Sequence, residues 1–180
     1  MCCCLEFKLM SVNTHYVSLR KKDRRLFLNN VSERLGLNIE SMFGSKPLIE
    51  IVETLKGKVY VIDGRPLIIE SGGNTFPTLK FEEYVSCLPK VVVDLDAVPH
   101  ICNKADVMGP GIVDVQGEFK SENLVNIIDV KNRKSIAIAK SIYDSTTSAN
   151  LKKGKIFRNL HCIGDEFWIV SKEIEEKRKS

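Results

Sequence analysis

The sequence predicts an α+β fold in two small units: an N-terminal α+β domain over residues 1–88, and a small β-barrel or curled sheet over 89–171 followed by a charged tail at 172–180. Three observations carry this. A length of 180 residues suits one ordinary domain or two small ones. Short β-branched runs recur along the chain, separated by Gly, Asp and Asn turn signals. Helical spacing, by contrast, holds over only one long stretch. A hydrophobic fraction of 43% excludes a disordered chain. No window approaches the roughly 18 consecutive apolar residues of a spanning helix, so no membrane partner is expected.

The first unit begins with a strand at Tyr16–Leu19. The cluster Arg20-Lys21-Lys22-Asp23-Arg24-Arg25 then opens a helix, with Leu26, Leu28, Val31 and Leu35 at near-helical spacing and Gly36 as its stop. Leu48–Val52, Lys58–Ile62 and Pro66–Glu70 read as strands, the last two joined by an Asp63-Gly64 hairpin turn. Ser71–Thr75 reads as a loop, and Phe76–Lys80 leads into a short helix ending near Leu88-Pro89.

The second unit opens with a buried strand, Lys90–Asp94, and one or two helical turns over Asp96–Cys102. Ala105–Val115 passes through Gly109-Pro110-Gly111 into a strand, and Leu124–Val130 and Ser135–Tyr143 form a hairpin. Ser148–Lys153 reads as a helical turn closed by Gly154, and Phe157–Ile163 and Phe167–Val170 as the last strands. From Ser171 on, charge dominates, which reads as a frayed helical tail without chemistry.

Catalytic patterns are missing from the sequence: there is no nucleophile elbow, phosphate-binding Walker loop, dinucleotide glycine motif or His-Glu-x-x-His. His15, His100 and His161 are isolated and read as partly buried structural residues. Asp94 and Asp96 are two apart, but Asp94 ends a strand and reads as a helix cap instead of half of a carboxylate pair. No Cys-x-x-Cys spacing offers a zinc site; Cys87, Cys102 and Cys162 sit singly in apolar stretches and read as buried free thiols. The chain therefore reads as no enzyme, with no metal and no cofactor. Glu6 and Lys8 interrupt the apolar start, so a cytoplasmic protein is expected, with Met10 as an alternative initiator to Met1. A net charge of +4 permits nucleic-acid contact without demanding it. The Arg20–Arg25 cluster is open to two readings, a solvated helix start or a phosphate-contacting patch.

The run Val92–Ile112 carries more information. Val93-Asp94, Ala97, Ala105, Val107-Met108 and Pro110-Gly111-Ile112, followed by Gly154, Asn159-Leu-His161 and Gly164-Asp-Glu-Phe-Trp168, resemble a PUA domain. That resemblance implies a PUA-type mixed β-barrel that binds RNA. Phe76–Lys80 with Leu88-Pro89 resembles the segment preceding the PUA domain in the malignant T-cell-amplified-sequence proteins of translation reinitiation and recycling, and in their archaeal counterparts. The resemblance implies structured RNA as partner, a tRNA acceptor end or small-subunit rRNA, hence the small ribosomal subunit, with no DNA expected. A protein with a SUI1 domain is a further implied partner. The alternative is a non-catalytic adaptor, or a targeting subunit for an RNA-modifying enzyme.

The implied RNA site is Lys104, Ala105, Asp106, Val107, Met108, Gly109, Pro110 and Gly111, with Lys140 and Arg158 adding charge. Arg20, Lys21, Lys22, Arg24 and Arg25 are expected to meet rRNA. Asp96 and Lys104 stand where the resembled family usually has Gly; Lys104 either blocks the close approach of RNA that Gly allows or, the favoured reading, places a charge-assisted donor against a phosphate.

Overall fold

The computed structural model describes residues 16–37, 39–44 and 46–179. The expectations for Met10 and His15 lie outside these residues.

The first sheet is an antiparallel meander of β1 (Tyr16–Ser18), β2 (Ile49–Glu53), β3 (Lys58–Ile62), β4 (Arg65–Ser71) and β5 (Asn74–Pro77), in sequence order. Helix α1 (Lys21–Leu35) ends at Gly36, whose φ of 64° is the left-handed conformation that suits a helix stop. The stretch expected to be a loop at 71–75 is instead a hairpin. Gly72 and Gly73 both have positive φ, the pairing a two-residue turn requires, and Glu70 faces Thr75 across it. A five-residue helix, α2 (Ile39–Phe43), has no counterpart in the sequence reading, and α3 spans Glu82–Val85.

Strands β3 and β4 contain the runs Val59–Ile62 and Pro66–Ile69, buried at every position. A sheet with one solvated face would alternate instead. Both faces are covered. Tyr60, Ile62, Leu67 and Ile68 pack with Leu28, Val31 and Leu35 of α1. On the opposite face Val59, Val61 and Ile69 pack with Phe167, Val170 and Ile174. Those last residues belong to α6 (Glu166–Lys179), a single helix where a strand at 167–170 and a frayed tail were expected. Its apolar residues fall at spacings of three and four, one helical stripe. The helix is fastened to the first sheet at its charged end as well, by Lys80–Glu175 at 2.8 Å and by Arg178–Glu50.

The second sheet is an open half-barrel, ordered β7 (Val107–Met108), β11 (Lys155–Cys162), β10 (Ser135–Ser141), β9 (Leu124–Asp129), β6 (Lys90–Val93) and β8 (Ile112–Gln116). All pairings are antiparallel except β6 with β9. Its core is a cluster including Val91, Val93, Ile101, Val107, Phe119, Ile127 and Phe157. Helix α4 (Ala97–Cys102) covers one end, and α5 (Ser145–Asn150) begins three residues earlier than the sequence spacing indicates because Asp144 caps it, accepting from Thr147 N–H at 2.7 Å. Among the described residues no helix is long and apolar enough to cross a membrane.

Candidate nucleic-acid interface

A groove of about 440 Å³ lies between α4 and the segment 105–111. Asp94 caps α4 as expected, its Oδ1 accepting from Ala97 N–H at 2.7 Å. Gly111 lets the helix approach: a β-carbon there would stand 2.8 Å from Ala97 Cβ. Gly109 is buried against the chain leaving α5, where an added β-carbon would lie 2.8 Å from Lys152 C and Lys153 N. Both glycines set backbone distances, and Val107, at 1% exposure, belongs to the core. Ala105, Asp106, Met108, Pro110 and Gly111 line the groove itself. Met108 is 48% exposed there and offers an apolar surface.

Asn159 of β11 holds this segment in place, its Nδ2 donating to Ile101 O at 2.9 Å and Ala105 O at 3.0 Å. Its backbone N–H donates to Asp106 Oδ1 at 2.9 Å, and Lys155 Nζ pairs with the other oxygen at 2.7 Å. Burial works against the Asp106 carboxylate, but Lys155 and the Asn159 N–H outweigh it and hold the group below the usual carboxylate range. The groove wall is acidic: Asp94, Asp96 and Asp106 line it, the first and last already committed to protein donors. His100, expected to be partly buried, is exposed at its edge, because the short α4 covers the barrel only with its Ile101 face.

The other predicted cations sit elsewhere. Lys104 lines a separate small cavity at the seam between the two domains. Lys140 and Arg158 are register partners on β10 and β11, sharing Glu122 at 3.2 and 3.7 Å; Lys140 also donates to Asn74 Oδ1 at 2.8 Å. Lys140 lines a cleft of about 610 Å³ between the domains, together with Arg34 and Glu122. Arg20, Lys22 and Arg25 are exposed at the start of α1, and Arg24 is half-buried, donating to Leu19 O at 3.4 Å. The backbone of Lys21 forms the first helical residue. Cations at a helix N-terminus oppose its dipole, so this end of α1 gains from an anionic partner. Lys155 escaped the sequence reading, since its place beside Asp106 follows from the β7–β11 pairing alone.

Cys87 is exposed, Cys102 half-buried and Cys162 buried, all free; the expectation of burial fails at Cys87, which lies just past the end of α3.

Comparison with known proteins fits this architecture. The PUA domain model matches residues 89–163, and a domain of unknown function, DUF1947, matches 14–84. The uncharacterized protein MJ1432 of Methanocaldococcus jannaschii is 32% identical over 151 residues, covering 82% of this chain and 87% of that protein. The chain belongs to this family of PUA-domain proteins. A hypothetical protein, PH0734.1, from Pyrococcus horikoshii superimposes with a TM-score of 0.70 at 28% identity, covering 87% of this chain and 99% of that one. A PUA-domain protein from Aeropyrum pernix, solved as a tartrate complex, shares the fold with a TM-score of 0.74 at 24% identity, covering 89% and 92%. Helix α6 lies wholly outside both family matches.

Proposed function

We propose that this PUA-domain protein is a non-catalytic, cytoplasmic RNA-binding factor of translation, related in role to the malignant T-cell-amplified-sequence proteins. The groove beside α4 receives the end of a structured RNA, such as a tRNA acceptor arm, and the Arg20–Arg25 end of α1 meets rRNA of the small ribosomal subunit. The groove carries the reading. It joins an exposed Met108, the Pro110-Gly111 backbone and a tightly packed helix in a preformed channel outside the core. Its acidic wall disfavours phosphates and leaves base and sugar contacts as the favoured ones, with phosphate charge supplied from the rim.

The test is binding of the purified chain to a deacylated tRNA and to an unstructured RNA of equal length across a salt series. A preference for tRNA that survives moderate salt supports the reading. Equal, weak binding to both RNAs refutes the groove as the site. The adaptor reading, with a SUI1-domain protein as partner, draws on Leu26 at 62% and Leu48 at 46% exposure on the first domain. It requires partner binding that persists when Arg20, Lys22 and Arg25 are reversed in charge.

A further inference from the structure

The seam between the domains holds a cavity of about 140 Å³. At about 30 Å³ per water, that is room for a few waters or one small tetrahedral anion. Lys56 reaches it from the turn after β2, Lys104 from the residues after α4, and His161 and Asp165 from the end of β11 and the turn before α6.

The two lysines converge. The Lys56 amino group lies close enough to Lys104 to hold its ammonium below the ordinary lysine range, with burial adding to the effect. Among the described residues neither forms a direct ion pair with a carboxylate; Asp165 attracts Lys104 only from a distance, and the hydrogen-bonding capacity of Asp165 and Glu166 goes to other donors. Asp165 accepts from His161 Nδ1 at 2.9 Å, Cys162 N–H at 3.0 Å and Trp168 N–H at 2.8 Å. Glu166 accepts from Leu55 N–H at 2.9 Å. Lys104 also adopts a φ of 68°, where a β-carbon is strained, so a side chain is held here against both steric and like-charge cost.

A second observation is independent of the lysines. His161 lines the same cavity at 1% exposure, and its Nε2 is buried without a hydrogen-bond partner. The Asp165 carboxylate can only accept, so Nδ1 carries a proton, and in the neutral imidazole form Nε2 is then an acceptor. Cys162 beside it is pushed up to about 11, by burial first and by Asp165 next, and so remains a neutral thiol at neutral pH. Two ammonium donors and one buried acceptor complement an anion that bears both bare oxygens and a hydroxyl.

We propose that Lys56, Lys104 and His161 form a binding site for a protonatable phosphate, either free hydrogen phosphate or the terminal monoester of an RNA or nucleotide. Sulfate and internal phosphodiesters carry no proton at neutral pH and leave Nε2 unpaired. The site stands apart from the groove beside α4 and does not rest on RNA binding there.

The test titrates the full chain with inorganic phosphate at neutral pH by calorimetry and by the imidazole NMR signals of His161, then repeats with sulfate at matched ionic strength. Saturable phosphate binding that moves the His161 signals is expected, with sulfate weaker by about tenfold or more, the worth of one buried hydrogen bond. Lys56→Gln and Lys104→Gln, both at exposed positions, each weaken phosphate by about tenfold, the worth of one charge-assisted bond, while Lys153→Gln does not. Absence of saturable binding overturns the proposal, as does equal affinity for sulfate or full affinity in both lysine variants. Competition by a short RNA with a terminal monophosphate, and none by its hydroxyl-ended twin, assigns the site to RNA ends. Competition by neither assigns it to the free anion, and the site stands in both cases.

Discussion

Gly111→Ala tests how closely α4 is packed on the groove. Gly111 has no positive φ, so the backbone accepts alanine and the unfolded chain loses entropy, which alone stabilises by about 0.4–1 kcal/mol. The new β-carbon would stand 2.8 Å from Ala97 Cβ, against about 3.5–4.0 Å for ordinary carbon contacts. Ala97 opens α4 and its N–H is tied to Asp94, so neither side yields without disturbing the helix cap. Overpacking of this kind costs about 1–3 kcal/mol, giving a net loss of about 1–2 kcal/mol. In urea, with a slope of about 2 kcal/mol/M, the midpoint falls by about 0.5–1 M. Ala97→Gly removes the opposing carbon. In that background Gly111→Ala becomes neutral or stabilising, although Ala97→Gly alone costs up to about 1 kcal/mol of helix stability. The two single changes therefore couple strongly. A double variant whose loss equals the sum of the single losses, within about 0.5 kcal/mol, refutes the packing argument.

Three further outcomes follow from the structure. Ile174→Ala, at a site with 0% exposure in the core beneath the first sheet, should cost about 2–5 kcal/mol in urea unfolding; a loss no larger than a surface change would show that α6 is not seated there. Burial disfavours the Asp165 carboxylate, but His161 and the Trp168 and Cys162 N–H groups outweigh it and depress its pKa. Its contribution is therefore complete above the unfolded value of about 3.9 and lost as pH falls through the lower folded value, so Asp165→Asn should flatten the acid limb of a stability–pH curve. Reversing Arg20, Lys22 and Arg25 to Glu should weaken RNA binding and reduce the slope of log affinity against log salt by about 0.7–0.9 for each phosphate no longer neutralised, read from a salt titration.

Sequence alone was informative where the signal is local. Asp94 as a cap, Gly36 as a helix stop and the Asp63-Gly64 turn depend on a few adjacent residues, and each forms as the local chemistry dictates. At 105–111 the residues themselves announced only the sharp backbone feature at Gly109-Pro110-Gly111, which forms as a short 3-10 turn; the rest came from the resemblance to a PUA domain. What escaped depends on partners far away in the chain. Phe167–Val170 is apolar enough for a strand, and only the unpaired face of a sheet some hundred residues earlier makes it a helix stripe. Lys56 drew no attention and His161 read only as a structural residue, because their meeting with Lys104 exists only once both domains are placed. Lys104 lies in surroundings other than those expected: its charge faces the seam and not the groove.

Helix α6 explains why the seam has a fixed geometry. Val59, Val61 and Ile69 are fully buried, and the apolar cover on their side includes Phe167, Val170 and Ile174. A first domain cut off at residue 88 would expose that face, at about 1.5–3 kcal/mol for each side chain uncovered. Sheet and helix are therefore one folding unit made from the two ends of the chain, and the half-barrel is carried on the same helix through β11. Lys56 lies one turn from Val52 and Val59 in the first sheet, while His161 and Asp165 lie immediately before α6. The element that completes the first core thus also sets the distance between the seam lysine and the buried imidazole. Loosening α6 at Ile174, well away from the cavity lining, should therefore lower phosphate affinity along with stability, coupling that two independently folded domains would not show.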